Sequence, residues 1–238
     1  MRRQRHATAA RKLAWWVADY AYAVIWQVRA TFNRTDPATF RSGHRTPIVV
    51  VPGIWESWKF MQPLITSLHD RGHPVHVVEP LRLNGRPVVD AAGHVDRYLV
   101  DHDLEDALLV AHSKGGLIGK YVMVHGRAAS RLRGMVAVAA PFSGSLYARY
   151  LFVPSLRIFS PKNTTIRGLA LEGSVNSRIV SVFGQFDPHI PGGSRLDGAK
   201  NVRLDTGGHF RVLAHPRVVA EIALMADEPT VVREHPQP

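Results

Sequence analysis

The sequence predicts an α/β fold with a mostly parallel sheet of about six strands and helices on both faces. Three observations lead there. Short apolar runs alternate along the chain with segments of helical spacing, which implies crossover connections and therefore parallel strands. The strand-like runs are continuously apolar, as strands covered on both faces must be. One of them, residues 107–111, leads through a tight turn at Ser113 into a helical segment, and parallel sheets present their chemistry at the carboxyl ends of strands.

In order, residues 47–51 (Pro-Ile-Val-Val-Val) form a β-branched run stopped by Pro52-Gly53. Residues 58–71 have helical spacing in Phe60, Met61, Leu64, Ile65 and Leu68, and Gly72 is a good C-cap. Residues 75–78 read as a strand, 88–104 as a helix, 107–111 as a buried strand, 116–125 as a helix and 135–139 as a strand. Two further strands, 179–183 and 202–204, precede a closing helix over 211–225. Residues 143–176 break the rhythm. They hold no clear strand, much Ser, Pro, Arg and Gly, and the apolar residues Leu146, Tyr147, Tyr150, Leu151, Phe152, Leu156 and Ile158. An insertion of that length reads as a cap or lid. The chain thus divides into an arm (1–45), a domain (46–228) and a flexible tail (229–238).

The 238 residues suffice for one domain with a large core, and 45% hydrophobic and 21% charged residues are ordinary globular composition. The absence of cysteine excludes disulfides, thiolate metal sites and a cysteine nucleophile. The net charge of +11 raises nucleic acid or an anionic membrane as partners. Its distribution argues against nucleic acid. Residues 1–45 carry nine Lys/Arg against Asp19 and Asp36, a net of +7, which leaves +4 for the other 193 residues. No nucleic-acid partner is expected. No phosphate-binding loop or dinucleotide fingerprint occurs, so no cofactor is expected. His69, His73 and His76 lie close in sequence, but a helix ends between the first two and the third enters a strand, so no metal is expected either.

Residues 13–32 of the arm read LAWWVADYAYAVIWQVRATF, interrupted by Asp19, Gln27 and Arg29. A charge at the centre of a spanning helix costs roughly 2.5–3.5 kcal/mol, which disfavours a transmembrane segment. A signal peptide would have a cleaner apolar run. A helix on a membrane surface, suited to Trp and Tyr flanked by Arg and Lys, and a helix packed on the domain both remain open. The corresponding location expected is cytoplasmic or peripherally membrane-associated, rather than secreted.

The chemistry concentrates in Ala111-His112-Ser113-Lys114-Gly115-Gly116, between a strand and a helix. A serine in so sharp a turn projects its hydroxyl above the sheet. The turn is strained, so the residues two before and two after must be small, and Ala111 and Gly115 are. The helix that follows points its N-terminus at the site and favours developing negative charge. A serine hydroxyl needs a base, and His209, in Thr206-Gly207-Gly208-His209-Phe210 after the last strand, is the candidate. The histidine needs an acid to fix its tautomer. Asp187 sits where the loop after the preceding strand turns, held by Pro188; Asp205 is too near His209 in sequence, and Glu79 is a distant alternative. The order Ser, Asp, His is that of one hydrolase class. An oxyanion hole would use the N–H groups of Lys114 and of Ile54, whose loop turns at Gly53. Lys114 would contribute its amide, with its ammonium in solvent. Gly53, Trp55, His112 and Phe142 are candidate pocket walls.

With these pieces assembled, the chain resembles the α/β-hydrolase superfamily, specifically its lipase- and esterase-like bacterial members. The matching stretches are VPGIWESW (51–58), GHPVHVVEPL (72–81), LLVAHSKGGLIGKYVM (108–123), APFSGS (140–145), FGQFDPHIP (183–191) and TGGHF (206–210). The resemblance covers about residues 46–225 and implies an α/β-hydrolase fold, a minimal lipase-like core and the same roles for Ser113, Asp187, His209, Ile54 and Lys114. Three departures stand out. Ala111 replaces the commoner glycine of the elbow, Pro52-Gly53 replaces a His-Gly pair, and the basic arm stands where extra strands usually precede the first motif. The activity implied is hydrolysis of a carboxylic ester with an apolar acyl group. Thioester or amide cleavage, acyl transfer to an alcohol and a non-catalytic scaffold are the alternatives.

Overall fold

The structure, a computed structural model, describes residues 7–145, 159–160 and 162–228. Strands β1 (Ile48–Val51), β2 (Val75–Val77), β3 (Ala107–His112), β4 (Leu132–Val138), β5 (Ile179–Phe183) and β6 (Lys200–Arg203) form one sheet in the order β2-β1-β3-β4-β5-β6. Every pairing is parallel. Successive strand residues serve opposite cores. Val49, Val51, Leu109, Ala111 and Ala137 meet the layer of α3 (Val88–Asp101), α4 (Lys114–His125) and α5 (Thr164–Leu171). Ile48, Val50, Leu108, Val110 and Val136 meet α2 (Gln62–His69) and α6 (Pro216–Asp227). Burial on both faces is why the runs read as continuously apolar.

Strand order reverses at β1. The chain leaves it for β2 on one side and returns to β3 on the other, so the crevice of this sheet opens beyond the carboxyl ends of β1 and β3. Val51 pairs with Ala111, which brings residues 52–56 and Ser113 side by side.

The arm forms α1 (Ala9–Phe32), capped by the Thr8 hydroxyl accepting from the Arg11 amide. Trp15, Asp19, Tyr22, Trp26 and Ala30 recur every three or four residues and so share its inner face. Tyr22 and Trp26 pack on the core beside α2 and α6. Packing on the domain is therefore the arrangement the helix adopts here. Among the described residues no helix is long and apolar enough to cross a membrane.

The remaining differences from expectation have local causes. Proline lacks an N–H and favours the first helical turn. Pro63 and Pro216 accordingly open α2 and α6, and the stretches just before them, Trp58–Met61 and Arg211–Ala214, are 3-10 turns. His215, expected inside the closing helix, is its N-cap and accepts from the Arg217 amide. α4 begins at Lys114, two residues earlier than its pattern suggested, directly after the serine. Within 143–176 lies α5, capped by Asn163. Residues 146–158, which hold the apolar residues of the expected lid, and the expected flexible tail 229–238 lie outside the described residues.

Candidate active site

Ser113 stands between β3 and α4 at φ 50°, ψ −119°, a conformation that side chains rarely adopt. Its amide donates to Val138 O at 2.8 Å, which holds the turn against β4. The small neighbours are required by contact. A Cβ on Gly115 would lie 2.1 Å from Val51 O, and one on Gly116 would lie 2.4 Å from Ala140 Cβ. α4 thus starts pressed against the ends of β1 and β4, with its N-terminus aimed at the serine.

The structure brings Ser113, His209 and Asp187 together. His209 Nε2 is 2.9 Å from Ser113 Oγ, and His209 Nδ1 is 2.8 Å from Asp187 Oδ2. Because Nδ1 faces a carboxylate, the proton belongs there, and Nε2 is left to accept from the hydroxyl. Asp187 Oδ1 accepts from the amides of His189 (2.8 Å) and Ile190 (3.0 Å), so the carboxylate is fixed at both oxygens. Burial alone would raise Asp187, but the charge and hydrogen bond of His209 and the His189 amide outweigh it and hold the carboxyl below its ordinary range. Burial alone would lower His209, but the charge and hydrogen bond of Asp187, with Glu56 and Asp19 behind, raise it above its ordinary 6.5. His209 can accept a proton only when neutral. If His209 takes the Ser113 proton in a reaction, its rate is expected to fall as pH drops through this raised value, giving an acid limb of kcat/KM centred above pH 6.5. A pH profile of ester hydrolysis measures it, and a limb centred below that value would contradict the assignment.

Lys114 opens α4, so its N–H is among the first-turn amides with no intrahelical acceptor. Its ammonium, expected in solvent, is buried. Nζ donates to Asn84 O at 2.7 Å and to Arg86 O, and burial lowers its pKa to about 8. Asn84 in turn donates from Nδ2 to Pro52 O at 2.6 Å. The lysine therefore anchors a loop that holds the residue before Gly53. In the 53–56 turn, the Gly53 amide donates to Glu56 Oε2 at 2.8 Å, and a Cβ on Gly53 would meet that carboxylate at 2.8 Å. Ile54 is partly buried against the α3/α4 core.

Two of the expected pocket walls are walls of something else. His112 has no exposed surface. Its Nδ1 is 2.8 Å from Glu56 Oε2 and its Nε2 is 3.0 Å from His209 O. Through these two contacts the ring ties the Gly53 turn to the His209 backbone. Phe142 is buried in the core cluster that also contains Phe159. Trp55 is half-exposed at φ 58° beside the crevice. Asp205 meets His215, and Glu79 lies exposed at a 3-10 turn, so neither alternative acid approaches His209.

The arm supplies what the sequence reading missed. Asp19, fully buried, accepts from the amides of His209 (2.9 Å), Phe210 (2.8 Å) and Arg211 (2.8 Å). Gln27 Nε2 donates to Trp55 O at 3.1 Å. Tyr20 Oη lies 3.1 Å from His189 Nε2, and burial lowers that imidazole to about 4, so it is neutral beside His209 at pH 7. The paired glycines before His209 make room for the helix. A Cβ on Gly207 would lie 2.5 Å from Trp15 Cε3, and one on Gly208, at φ 124°, would lie 2.4 Å from Asp19 Oδ1. The available signal was helical spacing. An acid centred in the stripe Trp15, Asp19, Tyr22, Trp26 is buried, and a buried carboxylate requires donors. Among the described residues no three His, Asp or Glu side chains are placed to hold a metal ion; His73 Nδ1 pairs with Thr46 O, and His76 with Tyr98.

No protein-family model matches the chain, and no curated protein matches its sequence. Solved structures do resemble it. The mature form of Bacillus licheniformis lipase BlEst2 aligns with a TM-score of 0.63 at 16% identity, over 82% of this chain and 95% of that one. The enol-lactonase of Burkholderia xenovorans LB400 aligns with a TM-score of 0.56 at 13% identity, over 76% and 91% of the two chains. An extracellular alpha/beta-hydrolase from a Paenibacillus species aligns with a TM-score of 0.52 at 16% identity, over 77% and 100%. At such identities the likeness is one of architecture, and the architecture is the α/β-hydrolase fold.

Proposed function

We propose that the protein is a serine hydrolase that cleaves carboxylic esters with an apolar acyl group. The observation that carries this reading is the continuous hydrogen-bonded series from Asp187 through His209 to the Ser113 hydroxyl, ending at the N-terminus of α4. In the mechanism, Ser113 Oγ attacks the ester carbonyl as its proton passes to His209 Nε2. Negative charge gathers on the carbonyl oxygen, where the N–H groups of Lys114 and Ile54 donate to it and the α4 dipole favours it. Collapse of the tetrahedral species breaks the bond to the alcohol, which leaves with the proton from His209. Water then repeats the sequence on the acyl-enzyme, releasing the acid and restoring Ser113. Asp187 stays ionised and holds the imidazole in the required tautomer. Structural neighbours named as a lipase and an enol-lactonase, the latter acting by its name on a cyclic ester, lend support to an ester over an amide.

An aryl-ester series of increasing acyl length, with reaction against a phosphonate ester, tests the reading. The expected result is turnover that peaks at one acyl length, and a single phosphonate adduct on the peptide that contains Ser113. An adduct elsewhere, or turnover without labelling at Ser113, would reject it.

A further inference from the structure

Unlike an ordinary surface helix, α1 is apolar on its outer face as well as on the inner one that packs on the core. Its inner face carries Asp19, while its outer face exposes Leu13, Val17, Ala21, Val24, Val28 and Phe32, spaced every three or four residues. The exposures are large: 55% at Val17, 61% at Val24 and 78% at Phe32. Between Leu13 and Val28 no charged side chain of the helix reaches solvent, since Asp19, the one ionisable acid or base there besides Tyr20 and Tyr22, is sealed beneath. Surface helices of soluble proteins turn their charges outward. This one presents an uninterrupted apolar stripe along a rod roughly 36 Å long.

The charges stand at the ends of that stripe. Arg11 and Lys12 precede it, with Arg11 over the Trp15 ring at 4.7 Å, and Arg29 and Arg34 follow, with Arg29 over Trp26 at 4.8 Å. Residues 1–45 hold nine Lys/Arg and two acids, and with Asp19 buried Asp36 is the only acid left exposed. An apolar stripe with aromatic flanks and cationic ends fits the boundary between the headgroups and acyl chains of an anionic bilayer. A second copy is a poorer occupant, because it would bring an equally cationic arm on a chain of the same +11 charge.

We infer that the outer face of α1 docks the protein on an anionic lipid surface. The inner face of the same helix contacts the His209 loop through Asp19, the Gly53 turn through Gln27 and the Asp187 loop through Tyr20. Docking therefore lays the crevice end of the sheet beside the bilayer, where an amphiphilic ester would be supplied. The docking rests on the helix alone and does not require the ester chemistry.

The test uses the full-length chain carrying Ser113→Ala, with vesicles of ether-linked phosphatidylcholine, with and without ether-linked phosphatidylglycerol. Sedimentation with the anionic vesicles is expected, weakened by salt. Adding Val17→Gln and Val24→Gln removes apolar surface without changing charge, and is expected to weaken partitioning about tenfold or more. In the chain that retains Ser113 the same pair should leave hydrolysis of p-nitrophenyl acetate unchanged. Absence of vesicle binding, or equal binding by the Val17/Val24 variant, would overturn the proposal. So would a solution dimer that these changes dissociate, which would assign the face to a second copy. Failure of ester hydrolysis with vesicle binding intact would count against the hydrolase reading and leave the docking in place.

Discussion

Ser113→Ala is expected to lower kcat/KM for a short p-nitrophenyl ester by about 10⁵-fold or more, with the melting temperature changed by at most a few degrees. The size of the loss follows from the mechanism. Without Oγ there is no acyl-enzyme, and the remaining hydrogen-bond donors accelerate only the direct attack of water, a residue of about 10³–10⁴-fold in serine hydrolases. The small effect on stability follows from the surroundings. Ser113 Oγ meets His209 and a crevice, and the strained backbone at φ 50° is held by the Val138 carbonyl, not by the hydroxyl. Equal turnover by the two proteins would eliminate Ser113 as nucleophile.

Asp19→Ala has the second largest expected effect, and the residue lies 190 positions from the histidine it supports. Removing the carboxylate leaves three amides, at His209, Phe210 and Arg211, facing a hollow beneath Trp15 with no acceptor. Each unpaired buried amide costs roughly 1–3 kcal/mol, and partial relaxation of the loop should hold the sum to about 3–5 kcal/mol. For a chain of this size that is a fall in melting temperature of roughly 8–15 °C. The same relaxation moves His209 from the hydroxyl, so kcat should drop about 10²-fold while KM changes little, as expected when a reacting group is misplaced. Asp19→Asn is the milder variant. Its remaining oxygen can still serve Phe210 and Arg211, but its NH₂ faces the His209 amide, so it should fold and still lose kcat. A purely structural role would lower the melting temperature of both variants without the kcat loss; wild-type values of both quantities in Asp19→Ala would remove the role altogether.

The parts of the molecule that could be read from sequence are those governed by local patterns. The parallel sheet followed from apolar runs such as 48–51 and 107–111, because burial on both faces leaves no alternation to obscure them. The serine turn was legible because the crowding at Gly115 and Gly116 leaves small residues no substitute. The long-range polar network was not legible. Asp19 interrupts an apolar stretch and reads as a defect in a membrane helix until the stripe it centres is placed against Gly207 and Gly208. Glu56 and His112 lie within recognised motifs, yet their partnership spans 56 positions and depends on where β1 and β3 end. Lys114 shows the same limit. Next to a serine in a loop it reads as exposed, and only the path of residues 82–87 over it supplies the carbonyls that bury it.

The span between Asp19 and the His209 loop also governs the order in which the protein can come into being. α1 leaves the ribosome well before its receptor at 207–211. At about 5–20 residues per second the 190 positions between them take roughly 10–40 s to synthesise. Throughout that interval the helix has an apolar outer side and an unsatisfied inner one, and contacts of such separation are the slow ones in folding. The Ser113 turn can be complete early, but His209 acquires a fixed position only when α1 meets the 207–211 loop. On the proposed mechanism, a chain that stops short of residues 207–211 has no base beside Ser113 and is expected to be inactive.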